Sequence, residues 1–135
     1  MLQAPPPPVR EVPRGVAFVE QNVVVLSSDQ VVRGHVEAAV AAKPGARTVF
    51  VSAVQGWRPL SSDRVVVIDD EGVVDADVLV REVKARNTQT RVVYLAARHS
   101  LGVERKARQA GASWYAIKPA PGRDLERVIT RLLRS

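Results

Sequence analysis

The sequence predicts an α/β domain in which helices cover both faces of a five-stranded parallel sheet. Short runs of valine, leucine and isoleucine recur along the chain, bounded by polar or turn-forming residues, as is typical of strands buried on both faces. Segments with apolar residues at helical spacing separate most of these runs. Such alternation indicates a parallel sheet, because each crossover between parallel strands needs a long connection that is usually helical.

The first half of the chain contains three predicted strands and two predicted helices. In order, they are strand 23–26, helix 29–42, strand 48–54, strand 65–68 and helix 75–87. The apolar faces of the helices consist of Val32, Val36, Ala39 and Val40 in the first, and Leu79 and Val83 in the second. Residues 55–64 include Gly56 and Pro59, which favours a loop over a packed helix. The helix expected between the second and third strands is therefore shortened or lost.

The second half continues the alternation with strand 91–96, helix 101–110, strand 114–117 and helix 122–134. Helix 101–110 carries Val103, Ala107 and Ala110 on one face, and Gly111 supplies its left-handed end. The last helix is expected to bury Leu125, Val128, Ile129 and Leu132, which follow helical spacing.

Composition limits both the organisation of the chain and its chemistry. The 135 residues suit one domain, expected at 16–135, after a Pro-rich tail or linker at 1–15. The short apolar stretch 16–19 is compatible with an edge strand or with more tail. Cysteine is absent, which excludes disulfides and thiol catalysis. No apolar run has the roughly 18 residues that span a bilayer, and prolines stand where a secretion signal has its apolar segment, so a cytoplasmic protein is expected.

The positive charge lies in the last quarter of the chain. Residues 1–97 hold equal numbers of acidic and basic residues, so the net charge of +6 comes from residues 98–135. Arginines at 123, 127, 131 and 134 fall on one side of the last predicted helix. A localised positive charge of this kind indicates how the protein interacts with partners and carries no information on the fold.

Polar residues follow the predicted strands where a parallel sheet places its functional crevice. These segments are Ser27-Ser28-Asp29, Asp69-Asp70-Glu71, Ala96-Ala97-Arg98 and Lys118-Pro119. The same segments carry a family resemblance, together with the ungapped stretch VVVLSSDQVVRGHVEAAV, the turn Ala110-Gly111-Ala112 and the aromatic Tyr115. On these grounds residues 23–135 resemble the CheY-like receiver domain of two-component response regulators, a flavodoxin-like fold of bacterial signalling.

The resemblance implies roles for particular positions. In working receivers two carboxylates after the first strand and an acceptor aspartate after the third hold Mg²⁺ during phosphoryl transfer. Here Asp69 takes the acceptor position and Lys118 that of the phosphoryl-binding lysine. Ser27 and Ser28 replace the acidic pair, and Ala96 replaces a phosphoryl-binding hydroxyl. Neutral hydroxyls are poor substitutes for the anionic ligands of a hard cation.

The sequence therefore predicts a degenerate pseudo-receiver, without enzymatic activity, metal or cofactor. Lys118 could pair with Asp69 as an internal substitute for the metal's charge. Tyr115 holds the position of the family's conformational reporter but has no hydroxyl at position 96 to couple to, which favours a packing role. Pro119 suggests a cis peptide bond by family resemblance.

The basic residues favour contact with an acidic protein surface, or with a second copy of the chain, through the last two helices and the strand between them. The candidate partner-binding residues are Arg105, Lys106, Arg108, Trp114, Arg123, Arg127, Arg131 and Arg134. A solvated helix flank is the simpler interpretation of the same pattern. One alternative is a phosphorylatable Asp69 with unusual metal ligands such as Asp29 and Asp70. Another is nucleic-acid binding, against which stands the lack of a recognition helix.

Overall fold

The computed structural model describes residues 21–52, 54–71 and 73–134. Its elements are β1 (Gln21–Leu26), α1 (Gln30–Ala41), β2 (Ala46–Phe50), β3 (Asp63–Asp69), α2 (Ala76–Arg86), β4 (Arg91–Ala96), α3 (Leu101–Ala110), β5 (Trp114–Ile117) and α4 (Gly122–Arg134). The tail predicted for residues 1–15 and the undecided stretch 16–19 lie outside the described residues. The domain boundary at residue 16 thus stays a prediction.

The five strands form one parallel sheet in the order β2-β1-β3-β4-β5. The chain winds from β1 outward to β2, returns to β3 and then continues to β4 and β5. This order places the carboxyl ends of β1 and β3 side by side, which is where ligands and functional groups gather in open parallel sheets. The predicted fold class is confirmed.

The connection from β2 to β3 contains no helix among the described residues 51–52 and 54–62, as the sequence predicts. Two side chains hold this connection against the sheet. The Asp63 carboxylate accepts a hydrogen bond from the Leu60 amide at 2.8 Å, and the Asn87 side chain donates one to the Ser61 carbonyl at 2.7 Å. One expectation is wrong, because the second strand ends at Phe50 and not at residue 54.

Two helices cover each face of the sheet. Helices α1 and α4 enclose one core, with Val36, Leu125, Ile129 and Leu133 fully or almost fully buried. Helices α2 and α3 enclose the other, around Val80, Val83 and Ala107. In α4 the buried residues recur every fourth position, so Leu133 replaces the expected Leu132 and Val128, which are only partly buried.

Side chains and glycine define the helix ends. The Asp29 carboxylate caps α1 by accepting hydrogen bonds from the amides of Val31 and Val32. Gly111 ends α3 with a φ of 119°, the left-handed conformation expected there. The peptide bond between Lys118 and Pro119 is cis, as the resemblance suggests. Within the described ranges, no helix has the length and apolar character needed to cross a membrane.

Candidate functional site

The carboxyl end of the sheet brings together groups from three strands. Asp69 is the last residue of β3 and is only 1% exposed, while buried Ser27 directly follows β1. Lys118 follows β5, and its backbone amide donates a hydrogen bond to the carbonyl of Ala96 at the end of β4. From there its side chain extends over the end of β4 to Asp69.

The Lys118 ammonium group lies among three carboxylates, which we term the carboxylate cluster (Asp29, Asp69 and Glu71). Its Nζ atom lies 2.9 Å from Asp29 Oδ2, 2.9 Å from Asp69 Oδ2 and 2.7 Å from Glu71 Oε1. An ammonium group has three hydrogens to donate, so one is available for each carboxylate. Charge-assisted bonds of this length are among the strongest in proteins.

Asp69 is held by further donors besides the lysine. The Ser27 hydroxyl donates to Asp69 Oδ2 at 2.6 Å, and the Glu71 amide donates to Asp69 Oδ1 at 3.1 Å. The Ser27 oxygen in turn accepts a hydrogen bond from the Asp29 amide at 3.1 Å. Both oxygens of the buried Asp69 carboxylate thus have partners, which offsets the cost of burying its charge.

The electrostatics of the cluster favour a charged lysine. Burial alone would lower the pKa of Lys118, but hydrogen bonds with Glu71, Asp69 and Asp29 outweigh burial and raise it above its usual range. The hydrogen bond with Lys118 is the main reason why the pKa of Asp29 is lowered. Three carboxylates against one ammonium leave two negative charges in excess.

The arrangement can be tested against the divalent cation that the receiver resemblance implies. Oxygens of Asp29, Asp69 and Glu71 lie within 4.8 Å of one another, and carboxylates are the ligands that Mg²⁺ prefers. However, the Lys118 ammonium group contacts all three carboxylates, and Ser27 donates to the oxygen of Asp69 that faces it. As arranged, the residues do not fit a divalent ion, because the Lys118 ammonium group lies at the point that all three carboxylates contact.

Other strand-end residues do not join the cluster. Ser28 is exposed. Asp70 turns towards β4, where its carboxylate accepts hydrogen bonds from the Ala97 amide at 2.7 Å and the Tyr94 hydroxyl at 3.0 Å. In this arrangement Asp70 does not lie beside Asp29, and its suggested role as a metal ligand stays a prediction. Ala96 is fully buried and offers no hydroxyl.

Tyr115 points into the core on the side of α2 and α3. Its ring stacks on Tyr94 with centroids 5.6 Å apart, and the Arg108 guanidinium lies 5.9 Å from the Tyr115 ring centroid. Burial is the main cause that raises the pKa of Tyr115, whose buried hydroxyl has no hydrogen-bond partner among the described residues. These contacts favour a packing role for this side chain.

Four exposed arginines form what we term the arginine stripe (Arg123, Arg127, Arg131 and Arg134). At 3.6 residues per turn they lie on the side of α4 opposite buried Leu125, Ile129 and Leu133. No ion pair within the described residues involves any of the four. Within the part of the chain that the structure describes, the four exposed side chains therefore have no carboxylate partner.

The other predicted partner-binding residues are dispersed. Arg105 is exposed on α3, and Arg108 pairs with Glu104 at 3.0 Å beside β5. Lys106 instead lines a pocket with three aspartates, Asp70, Asp75 and Asp77. Trp114 is half-buried against the core beneath α1 and α4, which argues against a role as an exposed anchor.

Comparisons with known proteins agree with this architecture. No family model matches the chain, and no curated protein matches it either. Among solved structures, a response regulator from Thermotoga maritima is similar, with 18% identity and a TM-score of 0.68 over 87% of this chain and 100% of that one. A CheY-like receiver domain protein from Methanospirillum hungatei has 16% identity and a TM-score of 0.65 over 86% and 95%.

The likeness also extends to a protein described as a pilus assembly protein from Burkholderia thailandensis. It has 18% identity and a TM-score of 0.65 over 84% of this chain and 98% of that one. At such identities the likeness concerns the fold. The described part of the chain has the fold of a response-regulator receiver domain.

Proposed function

We propose that this chain is a pseudo-receiver, a signalling module that acts by protein contact and without phosphorylation. The observation that carries the proposal is the state of Asp69, the residue in the acceptor position. The residue as a whole is 1% exposed, and its Oδ2 atom accepts hydrogen bonds from both Ser27 and Lys118. An oxygen held in this way is poorly placed to attack a phosphorus atom.

Two further features of the surroundings of Asp69 weigh against phosphoryl transfer. A metal ion normally neutralises the charge that develops on the phosphoryl oxygens. Here the charge that stands nearest is the Lys118 ammonium, which is shared among three carboxylates. At the end of β4, buried Ala96 has no hydroxyl to donate to a phosphoryl oxygen. These features support a domain that does not use Asp69 as an acceptor.

The proposal predicts that a phosphoryl analogue leaves the protein unchanged. Amide NMR spectra recorded with millimolar Mg²⁺, and then with Mg²⁺ plus beryllofluoride, should show no shifts at Asp69, Ala96 and Tyr115. The reason is that no oxygen of Asp69 is free to coordinate beryllium. Shifts that spread from Asp69 to α4 would contradict the proposal and favour a phosphorylatable receiver.

The surface that makes the contact is, in this proposal, the arginine stripe on α4. These side chains are exposed, and the stripe makes no ion pair within the described part of the chain. Four adjacent positive charges repel one another, and an acidic partner surface relieves that repulsion while it steers association. Arg108 contributes less, because Glu104 already neutralises it.

Charge reversal on the stripe should weaken binding to an acidic polypeptide. With poly-glutamate as the probe at low salt, Arg127→Glu combined with Arg131→Glu should raise the dissociation constant by about tenfold or more. Each lost pair is worth about 0.2–1 kcal/mol, and the new glutamates add repulsion. Fluorescence anisotropy of labelled poly-glutamate measures the effect.

Arg58→Glu combined with Arg86→Glu is the matched control, because both arginines are exposed and lie together on the opposite side of the molecule, between the β2–β3 connection and α2. It changes the net charge by the same amount. Equal losses in both double variants would mean that net charge, and not the stripe, drives binding. Tighter binding to duplex DNA than to poly-glutamate, with a steep salt dependence, would favour nucleic acid as the partner.

A further inference from the structure

We propose that Lys118 is a built-in cation: its ammonium group holds the position of a divalent ion and makes the carboxylate cluster independent of metal. The inference rests on the proposed function, since it explains how a receiver fold can keep its acidic site without Mg²⁺. It also assigns a role to Glu71, whose carboxylate contacts the same ammonium group from the loop after β3.

Geometry is the first support. Of the three carboxylate oxygens that contact Nζ, one comes from the residue before α1 and two from the stretch where β3 passes into its following loop. Their separations of 2.7–2.9 Å from Nζ mean that all three converge on one point. A side chain that follows the edge strand β5 thus connects its own segment to two others, as a bound metal ion does in a structural site.

Burial and charge are the second support. The Lys118 side chain is 11% exposed and that of Asp69 is 2% exposed, so water does little to screen their attraction. If the ammonium charge were removed, three carboxylates would lie together, and no other cationic side chain among the described residues forms an ion pair with them. Such a group of anionic oxygens is a good site for Mg²⁺. Loss of the lysine charge should therefore create a metal requirement that the natural protein lacks.

The test compares Lys118→Met with the natural protein in Mg²⁺ titrations followed by melting temperature and amide NMR. Methionine keeps the length and apolar stem of lysine but has no charge. We expect Lys118→Met to melt lower than the natural protein without Mg²⁺. We also expect it to gain on the order of 5–15 °C when Mg²⁺ reaches about 100 times its dissociation constant. The natural protein should gain nothing.

Three further variants make the result specific. Lys118→Arg keeps the positive charge and should remain insensitive to Mg²⁺. Lys43→Met removes a lysine far from the cluster, after the end of α1, and should also be insensitive. Adding Asp69→Asn to Lys118→Met removes one ligand and should abolish the Mg²⁺ response, with the lost shifts mapping to Asp29 and Glu71.

Two outcomes would overturn the inference. One is Mg²⁺ binding by the natural protein in the millimolar range, with shifts at Asp29, Asp69 and Glu71. The other is a folded Lys118→Met that ignores Mg²⁺. If Lys118→Met does not fold at any Mg²⁺ concentration, the Mg²⁺ titration of the natural protein still tests whether the carboxylate cluster is independent of metal. Mg²⁺ binding without any response to beryllofluoride would defeat this inference and leave the proposed function standing, so the two failures are distinguishable.

Discussion

Replacing Ile129 with alanine should lower the free energy of unfolding by about 2–5 kcal/mol. Ile129 is completely buried in the core that α1 and α4 build against the sheet, where it lies between Leu125 and Leu133 along α4. The substitution removes apolar contacts and leaves a cavity that the β-branched residues of the neighbouring strands fill poorly. Urea denaturation followed by circular dichroism measures the loss.

Two companion variants define the scale of that effect. Ile129→Val removes one methylene group and should cost about 0.5–1.5 kcal/mol. Arg127→Ala, two positions away on the exposed side of α4, should change stability by less than about 0.5 kcal/mol. A loss at Arg127 as large as that at Ile129 would show that the buried and exposed sides of α4 are assigned incorrectly.

Gly111→Ala should also destabilise the protein strongly, and for a different reason. Gly111 has a φ of 119°, which costs an L-residue about 1–3 kcal/mol. In addition, a Cβ atom there would lie 2.8 Å from Cγ of Lys84. That lysine cannot easily move aside, because its ammonium group donates hydrogen bonds to the carbonyls of Thr88 and Thr90 at 2.7 and 2.8 Å.

A double-mutant cycle separates the two contributions. In a Lys84→Ala background the contact is gone, so Gly111→Ala should cost only the strain of the backbone. Gly34→Ala is the control, since Gly34 lies within α1 and a Cβ atom there meets nothing within 4 Å. That change should stabilise the protein by about 0.5–1 kcal/mol. A similar loss at both glycines would disprove the explanation offered for Gly111.

Much of the fold follows from local patterns, but some element limits do not. Strands β4 and β5 and helices α3 and α4 begin and end where they are predicted. The reason is that residues that end a helix or strand, such as Gly111, stand where the hydrophobic periodicity changes. The end of β2 was predicted four residues too late. Apolar Val51 and Val54 continue the strand pattern, yet they pack on the core from the connection that replaces a helix. The apolar character of these two residues therefore indicates burial and does not indicate that they pair with a neighbouring strand.

The candidate site was predictable where backbone topology determines it. Asp69 and Lys118 follow strands of one parallel sheet, and the side chain of lysine is long enough to reach from the end of β5. The contact of Glu71 with Lys118 could not be predicted in the same way, because the side chains of adjacent acidic residues in a loop point in different directions. Asp70 turns towards Tyr94 while Glu71 turns to Lys118. The direction of each side chain depends on the backbone conformation of the loop, which the hydrophobic pattern of the sequence does not predict.

The two oxygens of the Asp29 carboxylate serve different parts of the molecule. Oδ1 accepts hydrogen bonds from the first amides of α1, and Oδ2 contacts the Lys118 ammonium group. Fraying of the first turn of α1 would free this carboxylate to rotate, and release of the lysine would loosen the helix start. The two local openings are therefore coupled, so loss of the contact between Asp29 and Lys118 should speed hydrogen exchange at the first turn of α1.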